Sequence, residues 1–145
     1  MDLPHVTVAC FCEKVLEEKN GSLSVIRIAD RVEYEIPDFP LPEGIKHGFP
    51  LTALIAVKSG PAKGKFKLSV VSESPSGKRV KGPIVDLEME GGDHGKNFIL
   101  NYVFGPAEDG LYWFDVLVDN ERLTRIPLML VSKIREHSAR QAGSR

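Results

Sequence analysis

Hydrophobic and polar residues alternate with a period of two along most of the chain, which is the pattern of half-buried β-strands. The clearest case is segment 65–70, which reads Lys-Phe-Lys-Leu-Ser-Val, and the alternation recurs in 84–90 and 98–104. Segments 6–12 and 51–57 are apolar at successive positions, which predicts central strands with both faces covered. No helical period competes with these segments, so the pattern predicts an all-β protein.

Turn-forming residues separate the predicted strands at a regular spacing. They are Asn20-Gly21, Ser59-Gly60-Pro61, Ser76-Gly77, Gly91-Gly92-Asp93 and Asp119-Asn120. About eight strands result, which is typical of an antiparallel β-sandwich. Segment 22–32 reads as one strand with a change of phase at Val25-Ile26, where a bulge would fit.

The last third of the chain predicts a hairpin of strands 111–118 and 122–131 around a three-residue turn, 119–121. If Tyr112 and Phe114 face the core, this turn length puts every second residue from Thr124 to Leu130 on the same face, so the two patterns agree. Pro127 cannot donate a ladder hydrogen bond, which predicts that the second strand is an edge or bulges there.

The start of this hairpin, Glu108-x-Gly110-x-Tyr112-x-Phe114, resembles the corner before strand F of immunoglobulin-like domains. The resemblance implies an immunoglobulin-like sandwich in which the tyrosine hydroxyl bonds to the upstream backbone. Phe114 stands where the family has a cysteine, so the disulfide between the sheets is absent.

A second resemblance spans most of the chain. It is carried by Cys12-Glu13-Lys14, Asn20-Gly21-x-Leu23-Ser24, Asp30-Arg31, Gly110-Leu111-Tyr112-Trp113-Phe114 and Ile126-Pro127-Leu128. These segments resemble an uncharacterised family of bacterial proteins known as a domain of unknown function. The resemblance implies a bacterial origin and a stand-alone domain, and it supplies no activity.

Length and composition add limits to this fold. The 145 residues suit one domain, predicted over 1–131, and 132–145 reads as a basic, disordered tail without a core pattern. The net charge of -1 gives no global attraction to nucleic acid or membrane, and no secretory signal is recognised. Cys10 and Cys12 project from one strand face and are expected to be free buried thiols in the cytoplasm.

Chemistry is sparse in the sequence. The four histidines are scattered, without metal-ligand spacing, and no nucleophile elbow or phosphate-binding loop occurs. A hydrolase using Asp93 and His94 lacks a nucleophile to accompany them. We therefore expect a non-enzymatic protein with no catalytic residue, metal or cofactor.

Charge is distributed unevenly. From 58 to 81 there are seven basic residues and one acid, and from 84 to 121 there are nine acids and one base. One interpretation is polyanion or nucleic-acid binding through the basic hairpin 58–81, with its candidate contacts Lys63, Lys65, Lys67, Lys78, Arg79 and Lys81. The favoured interpretation is internal pairing, since the lysines on 65–70 would face the carboxylates on 84–90 across two adjacent strands.

The hairpin also predicts an interaction surface. If Tyr112 points inward, the opposite face carries the apolar residues Leu111, Trp113, Leu117, Leu123, Pro127 and Met129. A patch of this kind is typical of an interface, with Trp113 as its anchor and the Pro-rich loop 37–50, through Phe39, as a second contact. The alternative is that loop 37–50 or the N-terminal segment covers the patch. The expected partner is another protein or a second copy of the chain.

Overall fold

The computed structural model describes residues 2–37, 48–106 and 108–135, and within them all regular structure is β-strand. No helix in these ranges is long and apolar enough to cross a membrane. Phe39 and most of loop 37–50 lie outside the described residues, as does 136–145. The strands are β1 (His5–Glu17), β2 (Leu23–Ala29), β3 (Arg31–Pro37), β4 (Phe49–Glu73), β5 (Arg79–Phe104), β6 (Gly110–Val118) and β7 (Glu121–Arg135).

Strands β4 and β5 are long because each of them serves two layers. The hydrogen-bonded order is β2-β1-β4-β6-β7-β3, with β5 paired along β4. β1 pairs with 52–58 of β4, whereas β6 pairs with 68–73 of the same strand. We call the layer of β2, β1, the first half of β4 and the second half of β5 sheet A. Sheet B contains the other halves of β4 and β5 together with β6, β7 and β3.

The two sheets face each other across a single core. Phe11 on β1 packs edge-to-face on Phe114 of β6, with 4.7 Å between the ring centroids, although these strands are not hydrogen-bonded neighbours. The alternating inward residues of β4, β5, β6 and β7 join the same buried cluster, among them Ile55, Leu68 and Leu128. The predicted sandwich of about eight strands is thereby confirmed.

Paired glycines carry β4 and β5 from one sheet to the other. Gly60 is opposite Gly92, both have positive φ angles (55° and 65°), and the register shifts on either side of Gly60. The sequence predicted turns at 59–61 and 91–93, which is wrong, because pairing resumes at Lys63 and the strands bend without ending.

The closing hairpin has the predicted register, with Phe114 opposite Ile126 and Tyr112 opposite Leu128. The turn itself is one residue shorter than predicted. Asp119 and Asn120 have φ angles of 49° and 68°, as in a two-residue turn of type I′. A register shift at Val116/Leu117 inserts one extra residue into β7, which compensates for the shorter turn. The inward-facing residues of β6 and β7 therefore still lie opposite each other.

Segment 22–32 is two strands and not one bulged strand. β2 pairs with β1 in sheet A, and the strand ends before Asp30. β3 then pairs parallel with β7 in sheet B. The register of β2 with β1 continues without a shift through Val25-Ile26, so the predicted bulge is wrong, and the one residue of β2 with a positive φ is Arg27, at 52°. The otherwise antiparallel sandwich therefore contains one parallel pair.

The parallel pair also changes the predicted end of the domain. β3 lies against β7 from Met129 to Arg135, so the sheet continues past position 131 and includes the first residues of the predicted tail. Pro127 precedes this pairing, and within the described residues β7 has a neighbour there only on the β6 side. The proline thus occupies a locally unpaired edge, as expected from its missing N–H group.

Candidate interaction surfaces

The loop before β6 is fixed by the corner that the sequence predicted. The Tyr112 hydroxyl donates a hydrogen bond of 2.7 Å to the backbone oxygen of Glu108. Next to it, the Asp109 carboxylate accepts hydrogen bonds from the backbone N–H and the hydroxyl of Ser132 and from the Tyr34 hydroxyl. This tyrosine corner ties the loop to β7 and β3 and confirms the immunoglobulin-like feature.

The outer face of sheet B, which we call the charged face, is organised around Asp115. This carboxylate is only 2% exposed, although it lies on the face that points away from the core. It accepts hydrogen bonds from Arg125 Nε at 2.7 Å and Arg79 Nη2 at 3.1 Å, and Arg122 Nη1 lies 4.0 Å away. Three arginines therefore cover one buried carboxylate.

Glu73 completes this ion cluster from β4. It pairs with Arg79 at 2.9 Å and with Arg125 at 3.3 Å, so each of these arginines joins two carboxylates. Burial of Asp115 favours its neutral form, but the hydrogen bonds from Arg125 and Arg79 outweigh burial and lower the pKa of the carboxyl. Asp115 is therefore ionised at neutral pH, and the cluster joins β4, β5, β6 and β7.

Trp113 lies beside this cluster and is half-buried. The Arg125 guanidinium stacks on its ring, 4.7 Å from the centroid, and Pro127 and Glu73 are its neighbours on the flanking strands. The apolar cluster predicted here is consequently interrupted, because Asp115 and Arg125 occupy the same face.

Only part of the predicted hairpin surface remains contiguous. Leu111 is opposite Met129 and Trp113 is opposite Pro127, forming a small apolar patch in which Leu111 and Pro127 are exposed. Leu117 lies beyond the ion cluster. Leu123, predicted to point outward, instead packs against the core, because the register shift at Val116/Leu117 rotates it inward.

The rest of the charged face pairs its charges across strands. Lys63 is opposite Glu90, Lys65 is opposite Glu88, and Lys67 is opposite Asp86. The Lys67 ammonium and the Asp86 carboxylate are 2.6 Å apart. This arrangement agrees with internal pairing of the basic and acidic segments, the interpretation that the sequence favoured over a polyanion surface.

The outer face of sheet A has the opposite character, and we call it the apolar face. It comprises Val8, Cys10, Cys12, Lys14 and Leu16 of β1, Ser24, Ile26 and Ile28 of β2, Pro50, Thr52, Leu54 and Ala56 of β4, and Asn97, Ile99, Asn101 and Val103 of β5. Exposed Lys58 continues the same row of β4 beyond Ala56, so the charged residues of this face are Lys14 and Lys58. More than half of the exposed large hydrophobic side chains of the described protein lie here.

Exposure varies across this face in an ordered way. Ile28 on β2 is 70% exposed and Val103 on β5 is 80% exposed, and these residues lie near its two borders. Between them Cys12, Leu54 and Ala56 are buried. Exposure on the apolar face is therefore highest at two border residues and lowest on the central strands β1 and β4.

The thiols belong to this face and not to the core. Both are free; Cys12 is buried and Cys10 is half-buried, so the prediction of two buried thiols is correct for Cys12 and only partly correct for Cys10. Burial raises the pKa of the Cys10 thiol, which makes it a weak nucleophile at neutral pH.

Sequence reasoning missed the apolar face. Segments 6–12 and 51–57 signalled it by being apolar at successive positions, but we interpreted that pattern as two covered faces. In the structure the inner face of both segments joins the core, while none of the strands packs on the outer one. The pattern alone could not distinguish a covered face from an exposed one.

The structure offers little catalytic chemistry in its described part. No group of histidine, cysteine and acidic residues there could hold a metal ion. A cavity of about 340 Å³ has Ser72, Ser74, Lys78 and Tyr112 as its polar lining and no imidazole or carboxylate. Another, of about 410 Å³, has the carboxylates of Asp86 and Glu88 among lysines and no imidazole or thiol. His94 Nδ1 accepts a 3.4 Å hydrogen bond from the Glu90 backbone, and the ring stays near that residue's carboxylate.

Comparison with known sequences decides the family. Residues 7–131 match a family of unknown function, DUF6941. The chain belongs to this family. The resemblance to a domain of unknown function is thus confirmed, and the family supplies no activity. No curated protein is detectably similar in sequence.

Solved structures resemble the fold of this DUF6941 member at low sequence identity. The β-glucosidase from Listeria innocua shares 10% identity with a TM-score of 0.53, over 74% of this chain and 15% of that enzyme. An immunoglobulin-like protein from Pseudomonas aeruginosa shares 15% identity with a TM-score of 0.45, over 89% of this chain and 97% of that one. The chain thus spans less than a fifth of the glucosidase, and that likeness concerns the fold alone.

Proposed function

We propose that this domain is a non-enzymatic protein-interaction module that binds its partner through the apolar face of sheet A. The observation that carries the proposal is the exposure of Val8, Leu16, Ile28, Ile99 and Val103 on one outer face whose charged residues are two lysines, Lys14 and Lys58. Several exposed large apolar side chains gathered on one face of a domain typically mark an interface.

The contrast with the charged face supports this choice of surface. There Asp115 and Glu73 occupy hydrogen-bond donors of Arg79 and Arg125, and Arg125 covers the ring of Trp113. Groups that are already paired within the chain gain little from a partner, whereas exposed apolar side chains gain free energy when they leave water. The patch around Trp113 and Pro127 is a smaller, second candidate contact.

Site-specific crosslinking in the native cell tests the proposal. A photo-reactive residue at position 28 should give a discrete adduct, while the same residue at position 84 should give none. Ile84 is a matched control because it has the same side chain and similar exposure, 64% against 70%, but lies on the outer face of sheet B. Equal adducts at both positions, or none at 28, would contradict the proposal.

A further inference from the structure

We propose that the outer edge of β5 over 97–104 binds an extended segment of another protein, which adds a strand to sheet A. This inference goes beyond the proposed function, because the partner pairs with the backbone at an edge of the sheet. The two proposals can be tested separately, since position 28 lies on β2 at the opposite edge of sheet A. Three features carry the inference: the unpaired backbone of this segment, its composition and its incompletely covered inner side chains.

The backbone of this segment has a strand neighbour on one side. Residues 97–104 pair with 49–56 of β4 without a register shift, and β5 has no second neighbour in the described part of the chain. The other side of such a strand presents a row of N–H donors and carbonyl acceptors. Another extended backbone satisfies such a row, as in the addition of a peptide strand to a sheet edge.

The composition of 97–104 leaves this edge open to pairing. The segment reads Asn-Phe-Ile-Leu-Asn-Tyr-Val-Phe, without a charge or a proline, and no bulge interrupts it. Natural edge strands typically carry charges, prolines or bulges that prevent pairing with other chains. Short uncharged segments rich in β-branched and aromatic residues are those that pair most readily. A partner strand would occupy an edge that the chain itself leaves unprotected.

The other edges of the two sheets carry protective features. β2 has a positive φ at Arg27, which distorts the strand. β3 has a charge at every second position from Arg31 to Glu35 and ends at Pro37. The first half of β5 carries an acid at every second position of 86–90. Of the four edges in the described structure, the second half of β5 is the one without such a feature.

The inner side chains of this segment are less covered than those of their neighbours. Ile55 of β4 is fully buried, whereas Phe98 opposite it is half-buried. Leu100 and Tyr102 are also half-buried, although all three pack against the core. On the first half of the same strand, Leu87 is only 1% exposed. The core is therefore incompletely covered beside this segment, and an added strand would remove more of this apolar surface from water.

The surroundings of the added strand define its chemistry. Its inward side chains would lie beside Phe98 and Leu100, and its outward side chains beside Ile99 and Val103. A charge at these positions would leave water without a counter-ion, which costs free energy. The expected partner is therefore an uncharged segment of about eight residues with apolar side chains at alternate positions.

Selection of random linear peptides, displayed on phage, against the immobilised full chain tests the proposal. The enriched peptides should have apolar residues at alternate positions. Fully N-methylated copies should bind at least about tenfold more weakly, because strand pairing needs the N–H groups of the peptide. Hydrogen exchange resolved by residue should show that the enriched peptides protect amides within 97–104.

Two lysine substitutions compare the two halves of β5. Ile99→Lys should weaken peptide binding by at least about tenfold, because it introduces a charge of the kind that protected edges carry. Ile84→Lys, on the first half of the same strand, should leave the affinity unchanged. Both positions are exposed, so both variants should keep the circular dichroism spectrum of the wild type.

The outcomes separate this inference from the proposed function. Enriched peptides that protect β1 and β2 and tolerate N-methylation would overturn strand addition and support the apolar face as the contact. The absence of any enriched peptide would also overturn strand addition, while the adduct at position 28 tests the apolar face independently.

Hydrogen exchange of the chain without peptide gives two further outcomes. If every amide of 97–104 is already protected at all concentrations, another part of the chain occupies the edge and the inference fails. If protection instead rises with the concentration of the chain, the occupant is a second copy and not another protein, which also overturns the inference.

Discussion

The outer faces of the two sheets belong to the same sandwich and share two strands, yet they meet solvent differently. On sheet B, lysines and arginines lie opposite carboxylates, and one carboxylate is almost fully buried beneath three arginines. On sheet A, branched apolar residues face outward with two lysines, Lys14 and Lys58, among them. The ionic groups of the charged face are paired within the chain, whereas the apolar face is the surface for which we propose a partner. A surface rich in charge is therefore not automatically the binding surface.

The largest effect within the folded chain is expected at Asp115. Asp115→Asn would leave Arg79 and Arg125 without their buried counter-ion, and we expect a loss of about 2–3 kcal/mol in the free energy of unfolding. Urea denaturation measures this loss. Asp86→Asn is the matched control, because its pair with Lys67 is exposed and is expected to contribute at most about 0.5 kcal/mol. Equal losses in the two variants would contradict a special role for the buried cluster.

Acid should weaken the charged face specifically. The pKa of Asp115 is lowered in the folded state, so the unfolded chain binds its proton more readily. The stabilisation is complete above the ordinary aspartate pKa of about 3.9 and is lost as the pH falls through the lower, folded value. Denaturation midpoints from pH 6 to pH 2 should show the Asp115→Asn variant approaching the wild type below about pH 4. A constant difference would be inconsistent with this linkage.

The core between the faces offers a smaller and opposite effect. The Tyr102 hydroxyl is buried and has no hydrogen-bond partner among the described residues, and burial raises its pKa. Tyr102→Phe removes this unsatisfied group, so we expect a gain of about 1 kcal/mol in stability. Tyr112→Phe is the contrasting control, because its hydroxyl is bonded to Glu108 and its loss should cost about 1 kcal/mol. A loss in the Tyr102 variant would reveal a partner for that hydroxyl.

The smallest effect is expected for polyanion binding. This experiment tests whether the lysines of the charged face are already paired with carboxylates of the same chain. Lysines that lie opposite carboxylates have little left for phosphate or sulfate groups, so we expect no retention on heparin at about 50 mM salt. The Lys67→Ala variant should likewise not be retained on heparin, and its free energy of unfolding should differ from that of the wild type by at most about 0.5 kcal/mol. Salt-dependent retention that Lys67→Ala reduces would reverse the comparison and restore the polyanion hypothesis.

Much of the fold depends on residues that are close together in the sequence, and these parts could be predicted. The hairpin register follows from alternation in 111–118 and 122–131, and the tyrosine corner follows from the spacing of Glu108, Gly110 and Tyr112. The sandwich follows from the number and spacing of the strands. These features need only residues that are close together in the sequence.

The remaining features depend on contacts between distant segments. Gly60 looks like a turn until Gly92 lies opposite it, and then it becomes a bend in a continuous strand. The parallel pairing of β3 with β7 leaves no signature within either segment. The binding surface at Trp113 was predicted from apolar residues alone, and Arg125 and Asp115 changed its character once β7 lay beside β6.

The two long strands that pass through both sheets have a consequence for cooperativity. Because β4 and β5 contribute to each layer, neither sheet can melt while the other keeps its central strand pairs. We expect one all-or-none unfolding transition in place of two separable steps. The chain carries a natural probe for each layer, since its single tryptophan is in sheet B and both thiols are in sheet A. Tryptophan emission and thiol reactivity should therefore change at the same denaturant concentration.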